Sequence, residues 1–369
     1  MGLLDYYRQF EGMADAEVSA ELRARAQERR RRALARIDPL DLSATTWHEF
    51  PHPDVVAAIT YAARRGINRA PDPGTSELRR ELGHRHGLEA DRVAVGNGAS
   101  ELLVTATREL MGAGDELVTP WPSYPLYPLM ARWAGGRAVP VHDGHDPEAL
   151  LSAVTERTRV VALCNPNDPT GAYLAVDRLR DLLERLPDGV TVLLDEALGD
   201  FVDAEPPGAS LGLLDDFPGL LTFRSFSKAY GLAGMRCGYV LGGPGSETLI
   251  DRLHPALGIS DVVQAGALDA VRKCGPLVAR RREVVAAERR RAMEALAELP
   301  LDVFPSQANF LWLSARGLSG HELSARLGRS RVIVYIGGEI GSPDHVRVAL
   351  QSPPATDRLL EALRQALAA

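Results

Sequence analysis

The chain has 369 residues, more than one ordinary domain holds, so its length predicts a large α/β domain with a smaller companion. An apolar share of 45%, a charged share of 25% and a net charge of −7 describe a soluble globular protein, with no general attraction to nucleic acid and no apolar run long enough to cross a bilayer. Three widely spaced cysteines, Cys164, Cys237 and Cys274, with no signal peptide ahead of them, argue against a disulfide framework and predict a cytoplasmic location.

Residues 16–36, rich in Ala, Arg and Glu, predict an N-terminal helix that stops at "DPLDLS". The "TTWHEFPHP" that follows holds too much proline and aromatic residue for a helix or a central strand. From residue 75 onward short β-branched runs alternate with amphipathic helices: "RVAV" (92–95), "DELVTP" (115–120), "TRVVALCNP" (158–166), "VTVLLDEA" (190–197) and "LLTFRSFS" (220–227). That alternation predicts a mostly parallel sheet covered on both faces. Residues 261–298 read as helix interrupted at Gly275 and Pro276, and "ANFLWLS", "RVIVYIGG" and "HVRVALQS" then supply strands of a smaller α+β domain. The expected division is an N-terminal arm belonging to the small domain (1–52), a large domain (53–260) and a C-terminal small domain (261–369). The arginine runs Arg29 to Arg32 and Arg289 to Arg291 read as solvated helix faces. "GHRH" and "HDGHD" lack the cysteines or matching acids of a metal site, so no metal is expected.

In open α/β sheets ligands lie beyond the carboxyl ends of the strands, so the residues just after each strand belong together. After "RVAV" comes "GNGASELL", a turn running into a helix start whose N–H groups suit a phosphate. Beyond "VTVLL" stand Asp195 and Glu196, where a bare carboxylate needs a cationic partner. Beyond "LLTFR" come Ser225 and Ser227, with hydroxyls to donate, and Arg236, whose guanidinium suits phosphate oxygens. Between them is Lys228; the only other lysine in the chain is Lys273. An amine flanked by phosphate donors, with an acid from another strand end, is what a pyridoxal phosphate site requires. The lysine forms the Schiff base, the acid keeps the pyridine nitrogen protonated, and the cradle anchors the phosphate. Taken singly these residues have other readings. Gly96 and Gly98 also suit a dinucleotide turn, though its third glycine is missing, and Lys228 also suits a surface position with Asp195 a structural ion-pair acid.

The motifs "CNPNDPTGAYL" (164–174), "LLDEALGDF" (193–201) and "SFSKAYGLAGMRCGY" (225–239) resemble the fold-type I pyridoxal phosphate enzymes of the class I/II aminotransferases, the histidinol-phosphate aminotransferase branch most of all. The likeness runs over about residues 40–350 in motif order. It implies the aspartate aminotransferase fold, pyridoxal 5'-phosphate as cofactor, a homodimer, and transamination from an amino acid or related amine to a keto acid or aldehyde. By the same resemblance Lys228 carries the Schiff base, Asp195 pairs with the pyridine nitrogen, and Tyr124 in "WPSYPLY" stacks on the ring. Gly98, Ala99, Ser100, Ser225, Ser227 and Arg236 surround the phosphate, and Arg347 in "HVRVALQS" binds the substrate α-carboxylate. Without the resemblance Tyr124 reads as a half-buried loop aromatic and Arg347 as a strand-face charge meeting a neighbouring acid.

The departures from the family pattern cluster near the cofactor. Asp168 stands where relatives place an asparagine, and Leu198 where they place a tyrosine, on the cofactor's phenolic oxygen. An ionised Asp168 about 4 Å from a phenolate would be repelled by on the order of 4 kcal/mol at an effective dielectric of about 20, roughly three pKa units. The expectation is that Asp168 shares a proton with that oxygen, or turns away and leaves its place to Asn165 or Asn167. Ala70 replaces a tyrosine that reaches the neighbouring subunit's cofactor phosphate, Tyr335 replaces an arginine for a substrate phosphate, and "TTWHEF" replaces an Asn-rich entrance segment. Losing a cation from a dianion site argues for an unphosphorylated substrate. Trp47 and His48 then become candidates to touch its aromatic or polar side chain, or else a packed loop aromatic and a surface histidine. The same changes leave decarboxylation, cyclisation or oxidation of an amino acid as the alternative activity, with a catalytically degenerate cofactor-binding protein as the third reading.

Overall fold

The first strand, β1 (Leu40–Asp41), stands alone ahead of seven that make the main sheet of the computed structural model, which describes residues 20, 23–25, 38–142 and 145–368. The helix expected over 16–36 lies outside the described residues except at 20 and 23–25. The seven are β2 (Val93–Gly96), β3 (Glu116–Trp121), β4 (Arg137–His142), β5 (Thr158–Cys164), β6 (Thr191–Asp195), β7 (Leu220–Ser225) and β8 (Gly238–Gly242), in the order β2-β8-β7-β6-β5-β3-β4. β4, β3, β5, β6 and β7 run parallel, and β8 alone is antiparallel to its neighbours β7 and β2. Helices on both faces bury the middle strands, and β7 is buried along its whole length. Such strands read as continuous apolar runs rather than alternating ones. Two strands of this sheet were not predicted from the sequence. β4 carries Pro140, which an edge strand tolerates because its missing N–H faces no partner, and β4 is the last strand of the sheet. β8 is five residues that begin and end in glycine, too short for its pattern to stand out.

The C-terminal strands are β9 (Leu301–Val303), β10 (Phe310–Ala315), β11 (Val332–Ile333), β12 (Tyr335–Ile336) and β13 (His345–Ala349). β12-β13-β10-β9 form an antiparallel sheet, while β11 pairs in parallel with β1. The single run "RVIVYIGG" is therefore split between two sheets at Val334. Leu42, which follows β1, packs into the apolar cluster under these strands with Leu311, Leu313, Leu359 and Leu363, apart from the clusters on the two faces of the main sheet. The predicted interruption falls where expected: helix Asp261–Lys273 ends, Cys274 caps the next helix, and Gly275–Leu296 begins with Pro276 in its first turn, where a missing N–H costs nothing.

The run 289–291 is not a solvated face throughout. Arg289 is buried, donates from Nη1 to the Ala308 carbonyl at 2.7 Å and pairs with Asp203, while Arg290 and Arg291 stay at the surface. Its stem fills a gap that an exposed-helix reading leaves empty. Among the described residues no helix is long and apolar enough to cross a membrane, no group of His, Cys, Asp and Glu has metal-holding geometry, and the three cysteines are free.

Candidate active site

Strands β5, β6 and β7 end at one cavity, with Cys164, Asp195 and Ser225 as their last residues and lining members. The register sets Cys164 beside Asp195, and Asp195 beside Phe223. On the other side of β7, Gly238 of β8 pairs with both Ser225 and Gly96. A Cβ on Gly238 would fall onto the Ala99 backbone nitrogen, so a glycine there lets helix Ala99–Leu110 bring its first turn to the strand ends. The helix start and the strand ends thereby share one pocket.

An anion cradle results. Ala99, Ser100, Ser225, Ser227 and Arg236 all line the cavity. Gly98 lies at φ +93° and ψ 158°, a conformation almost reserved for glycine, and a Cβ there would come within 2.5 Å of Arg236 Nη2. The guanidinium thus lies against the bare face of Gly98, where its Nη1 donates to Ser227 Oγ at 3.2 Å. Ser225 Oγ accepts from the Ser227 N–H at 3.0 Å. Among the described residues no carboxylate forms an ion pair with Arg236. A helix N-terminus, three hydroxyls and an unneutralised guanidinium are the donor set a phosphate dianion calls for.

Asp195 is buried, with Oδ2 accepting from Tyr127 Oη at 3.0 Å and Oδ1 from the Ala197 N–H at 3.0 Å. Burial raises its pKa above the ordinary carboxylate value, against the pull of these two hydrogen bonds. Both direct donors are neutral, so a protonated ring nitrogen would supply the cation that a buried carboxylate needs. Burial likewise pushes the Lys228 amine below its usual value, opposed first by the charge of Asp168. The amine donates to Thr45 Oγ1, and Thr45 is itself held through its carbonyl by Asn309 Nδ2 at 3.0 Å. Tyr124 lines the wall, its hydroxyl 3.3 Å from Ser100 Oγ and its ring edge-on to Tyr127 at 5.7 Å between centroids. The residues present fit pyridoxal phosphate: an amine, a buried acid without a cation in contact, and a dianion cradle whose glycine leaves room for the arginine.

Asp168 faces the same cavity and is ion-paired with Arg347. Arg347 also donates from Nη2 to the Ser43 carbonyl at 2.9 Å, and Tyr335, opposite it in the β12–β13 register, places its ring 4.5 Å from the guanidinium carbon. Asp168 has thus turned to Arg347, but neither neighbouring amide takes over its place. Asn165 exchanges both its hydrogen bonds with the Leu174 backbone, at 2.9 and 2.8 Å. Asn167 is tied to Ser123, Pro122 and Thr170. Both side chains pin the loop after β5 and do not line the cavity, so Asn165 is placed as a loop anchor. Trp47 and His48 are also elsewhere. Trp47 Nε1 donates to Glu49 at 2.9 Å, its ring packs on Phe201 and on the Arg281 guanidinium, and both residues border a separate cavity beside Arg280 and Arg281. Their segment sends Thr45 and Thr46 to the site instead. Leu198, with Cys164 and Ala197, makes an apolar wall.

Sequence reasoning missed Thr45, Thr46, Tyr127 and Gly238. Tyr127 lies in the first turn of helix Leu126–Trp133, with its N–H on the Tyr124 carbonyl at 3.2 Å, and this turn brings its hydroxyl to Asp195. The two threonines carried no signal in the sequence, since their approach to Lys228 depends on β1 pairing with β11.

Fold and site together define a fold-type I α/β enzyme organised around one lysine amine. The family model "Aminotransferase class I and II" matches residues 37–363. The chain is 37% identical over 330 residues to an aromatic amino acid aminotransferase of Corynebacterium efficiens, covering 88% of this chain and 92% of that protein. It is 40% identical over 325 residues to one of Corynebacterium jeikeium, covering 85% of each. Among solved structures it resembles the histidinol-phosphate aminotransferase of Sinorhizobium meliloti in complex with pyridoxal-5'-phosphate, with a TM-score of 0.79, 29% identity, and 93% and 94% of the two chains covered. The chain belongs to the class I and II aminotransferases, enzymes that depend on pyridoxal 5'-phosphate.

Proposed function

We propose that this aminotransferase takes the amino group of an unphosphorylated amino acid with an aromatic side chain, on pyridoxal phosphate joined to Lys228, and passes it to a keto acid or aldehyde. The observation that carries this reading is the meeting, in one cavity, of the Lys228 amine, the buried Asp195 and the cradle around Arg236. The bound cofactor supplies an electron-accepting ring that makes the substrate Cα proton removable. The protein's part is binding, orientation and proton traffic. The first turn of helix Ala99–Leu110, Ser100, Ser225, Ser227 and Arg236 hold the phosphate, with Gly98 leaving the guanidinium its place. Asp195, fixed by Tyr127 and Ala197, keeps a proton on the ring nitrogen, and Tyr124 bounds the ring. Arg347 binds the α-carboxylate. Lys228 Nζ, whose burial favours the neutral amine, accepts the proton that leaves Cα.

The aromatic preference draws on the similar corynebacterial enzymes and on the rings of Tyr335 and Phe310 beside Arg347. An unphosphorylated substrate agrees with Tyr335 standing beside Arg347, whose charge Asp168 already matches. The assignment of 1–52 to the small domain is supported by the β1–β11 pairing. Helix Asp261–Lys273, by contrast, packs on helix Pro53–Gly66 and shares the large domain's apolar cluster, which moves the boundary expected at 260 past Cys274. A cytoplasmic homodimer completes the reading; Phe50, Tyr61, Ile67 and Leu257 offer exposed apolar surface for a second subunit. Borohydride reduction of the loaded protein followed by peptide mapping tests the centre: the label falls on Lys228. Label on Lys273, which is exposed and paired with Asp54 and Asp269, overturns it. Carbon dioxide from the amino acid, with no amino group transferred, would replace transamination by decarboxylation.

A further inference from the structure

We infer that Asp168 and Arg347 form a charge-exchange pair that selects zwitterions: the substrate's carboxylate takes Arg347 from Asp168, and its ammonium group takes Asp168 from Arg347. The inference rests on the function proposed above and makes Asp168 a specificity-determining residue. Arg347 is already committed. Nη1 holds Asp168, Nη2 donates to the Ser43 carbonyl at 2.9 Å, Nε is buried without a partner, and the Phe310 and Tyr335 rings lie 5.2 and 4.5 Å from the guanidinium carbon. Its single positive charge is therefore matched before any substrate arrives.

Asp168 in turn is paired with one cation, Arg347. It shares its cavity with Lys228, on whose amine it is the strongest charge. A ligand bearing a carboxylate alone would place two carboxylates on one guanidinium. At about 5 Å and an effective dielectric of about 20, their repulsion weakens binding on the order of 100-fold. A zwitterion brings its own ammonium, so every charge in the exchanged arrangement again meets its opposite. An asparagine at 168 would hydrogen-bond Arg347 but would neither repel the carboxylate nor attract the ammonium.

The test uses cofactor-loaded wild type and Asp168→Asn, with calorimetric affinities for two unreactive probes. One is 3-phenylpropionate, a carboxylate without an amine; the other is N,N-dimethylphenylalanine, a zwitterion whose tertiary ammonium cannot condense with the cofactor. The expected result is that Asp168→Asn binds 3-phenylpropionate about 100-fold more tightly than wild type, while its affinity for N,N-dimethylphenylalanine changes less than tenfold. Equal changes for both probes, or none for either, overturn the inference. A second measurement needs no variant: wild type binds 3-phenylpropionate no more tightly than neutral 3-phenylpropanamide, and more than about a tenfold preference for the carboxylate overturns it. A protein that never acquires the cofactor's visible absorbance refutes the proposed function itself. A loaded protein that fails only the probe comparison refutes the role of Asp168 alone.

Discussion

Replacing Gly98 by alanine separates the cradle from the fold that carries it. At φ +93° and ψ 158° an alanine costs about 1–3 kcal/mol of backbone strain. Its Cβ would also lie 2.5 Å from Arg236 Nη2 and 3.2 Å from Cζ. The obstructing atoms are the far end of a long side chain, so the guanidinium swings out and gives up its bond to Ser227 Oγ. A hydrogen bond to a charged group contributes about 1.5–3 kcal/mol, so cofactor affinity falls about 10- to 100-fold. Gly238→Ala is the contrasting case, because its Cβ meets the Ala99 nitrogen, Gly98 carbonyl carbon and Arg224 oxygen, all backbone. Nothing there can rotate aside, and the fold loses about 3 kcal/mol. Cofactor titration into the apoprotein and urea unfolding read the two effects separately. If Gly98→Ala keeps wild-type cofactor affinity within twofold, Arg236 does not depend on that glycine and the account of the cradle is wrong.

Arg281 is 2% exposed, donates to the Ala229 carbonyl at 2.8 Å and faces the Trp47 ring. Arg281→Ala leaves a void and an unpaired carbonyl next to Lys228, so urea unfolding should show a loss of about 3 kcal/mol, with kcat falling more than KM rises; unchanged stability would contradict this packing. His86 and His145 are held to pKa values of about 3 and about 4, burial being the main cause in each. Below pH about 6.5 the unfolded chain takes up protons that these folded sites refuse, so the stability they contribute is complete above that pH and is lost as pH falls. The slope is about 1.4 kcal/mol per pH unit for each histidine, down to the two lowered values. Urea unfolding between pH 7 and pH 5 measures it, and His86→Gln should lower the slope by up to about 1.4 kcal/mol per pH unit. His48, His254 and His345, whose pKa values burial also lowers, supply part of the remainder. A midpoint independent of pH would show that neither ring is kept neutral by the fold.

How much was legible depends on how far each signal reaches along the chain. Five strands of the main sheet were visible because each is a run of β-branched and apolar residues ending at a polar cluster, and burial on both faces needs nothing else. Their ends, and with them Asp195, Ser225, Ser227 and Lys228, followed from one rule about parallel sheets. β4 and β8 escaped because their identity lies in their neighbours: an edge position excuses Pro140, and pairing on both sides gives meaning to a five-residue run that begins and ends in glycine. The solvated-face reading of 289–291 failed for a similar reason. Whether an arginine on an amphipathic helix is wet or buried turns on whether an acid such as Asp203 arrives from elsewhere.

Asp168 shows the same limit in charge rather than in shape. Read along the chain it is an acid placed where the family resemblance implies an amide, and a repulsion of about 4 kcal/mol against a phenolate follows from Coulomb's law alone. The opposite charge that answers it stands 179 residues away, on a strand of another sheet. An ion pair at a similar separation and dielectric contributes the same magnitude with the opposite sign, so to first order the two cancel. The substitution that looks disabling in a local motif is thus balanced by Arg347, a residue that looks unaltered in its own. Neither Asn165 nor Asn167 needs to move, and both remain in the loop contacts that position Asp168. Substrate choice must therefore be reasoned from the combined charge of the Asp168–Arg347 pair rather than from either residue alone.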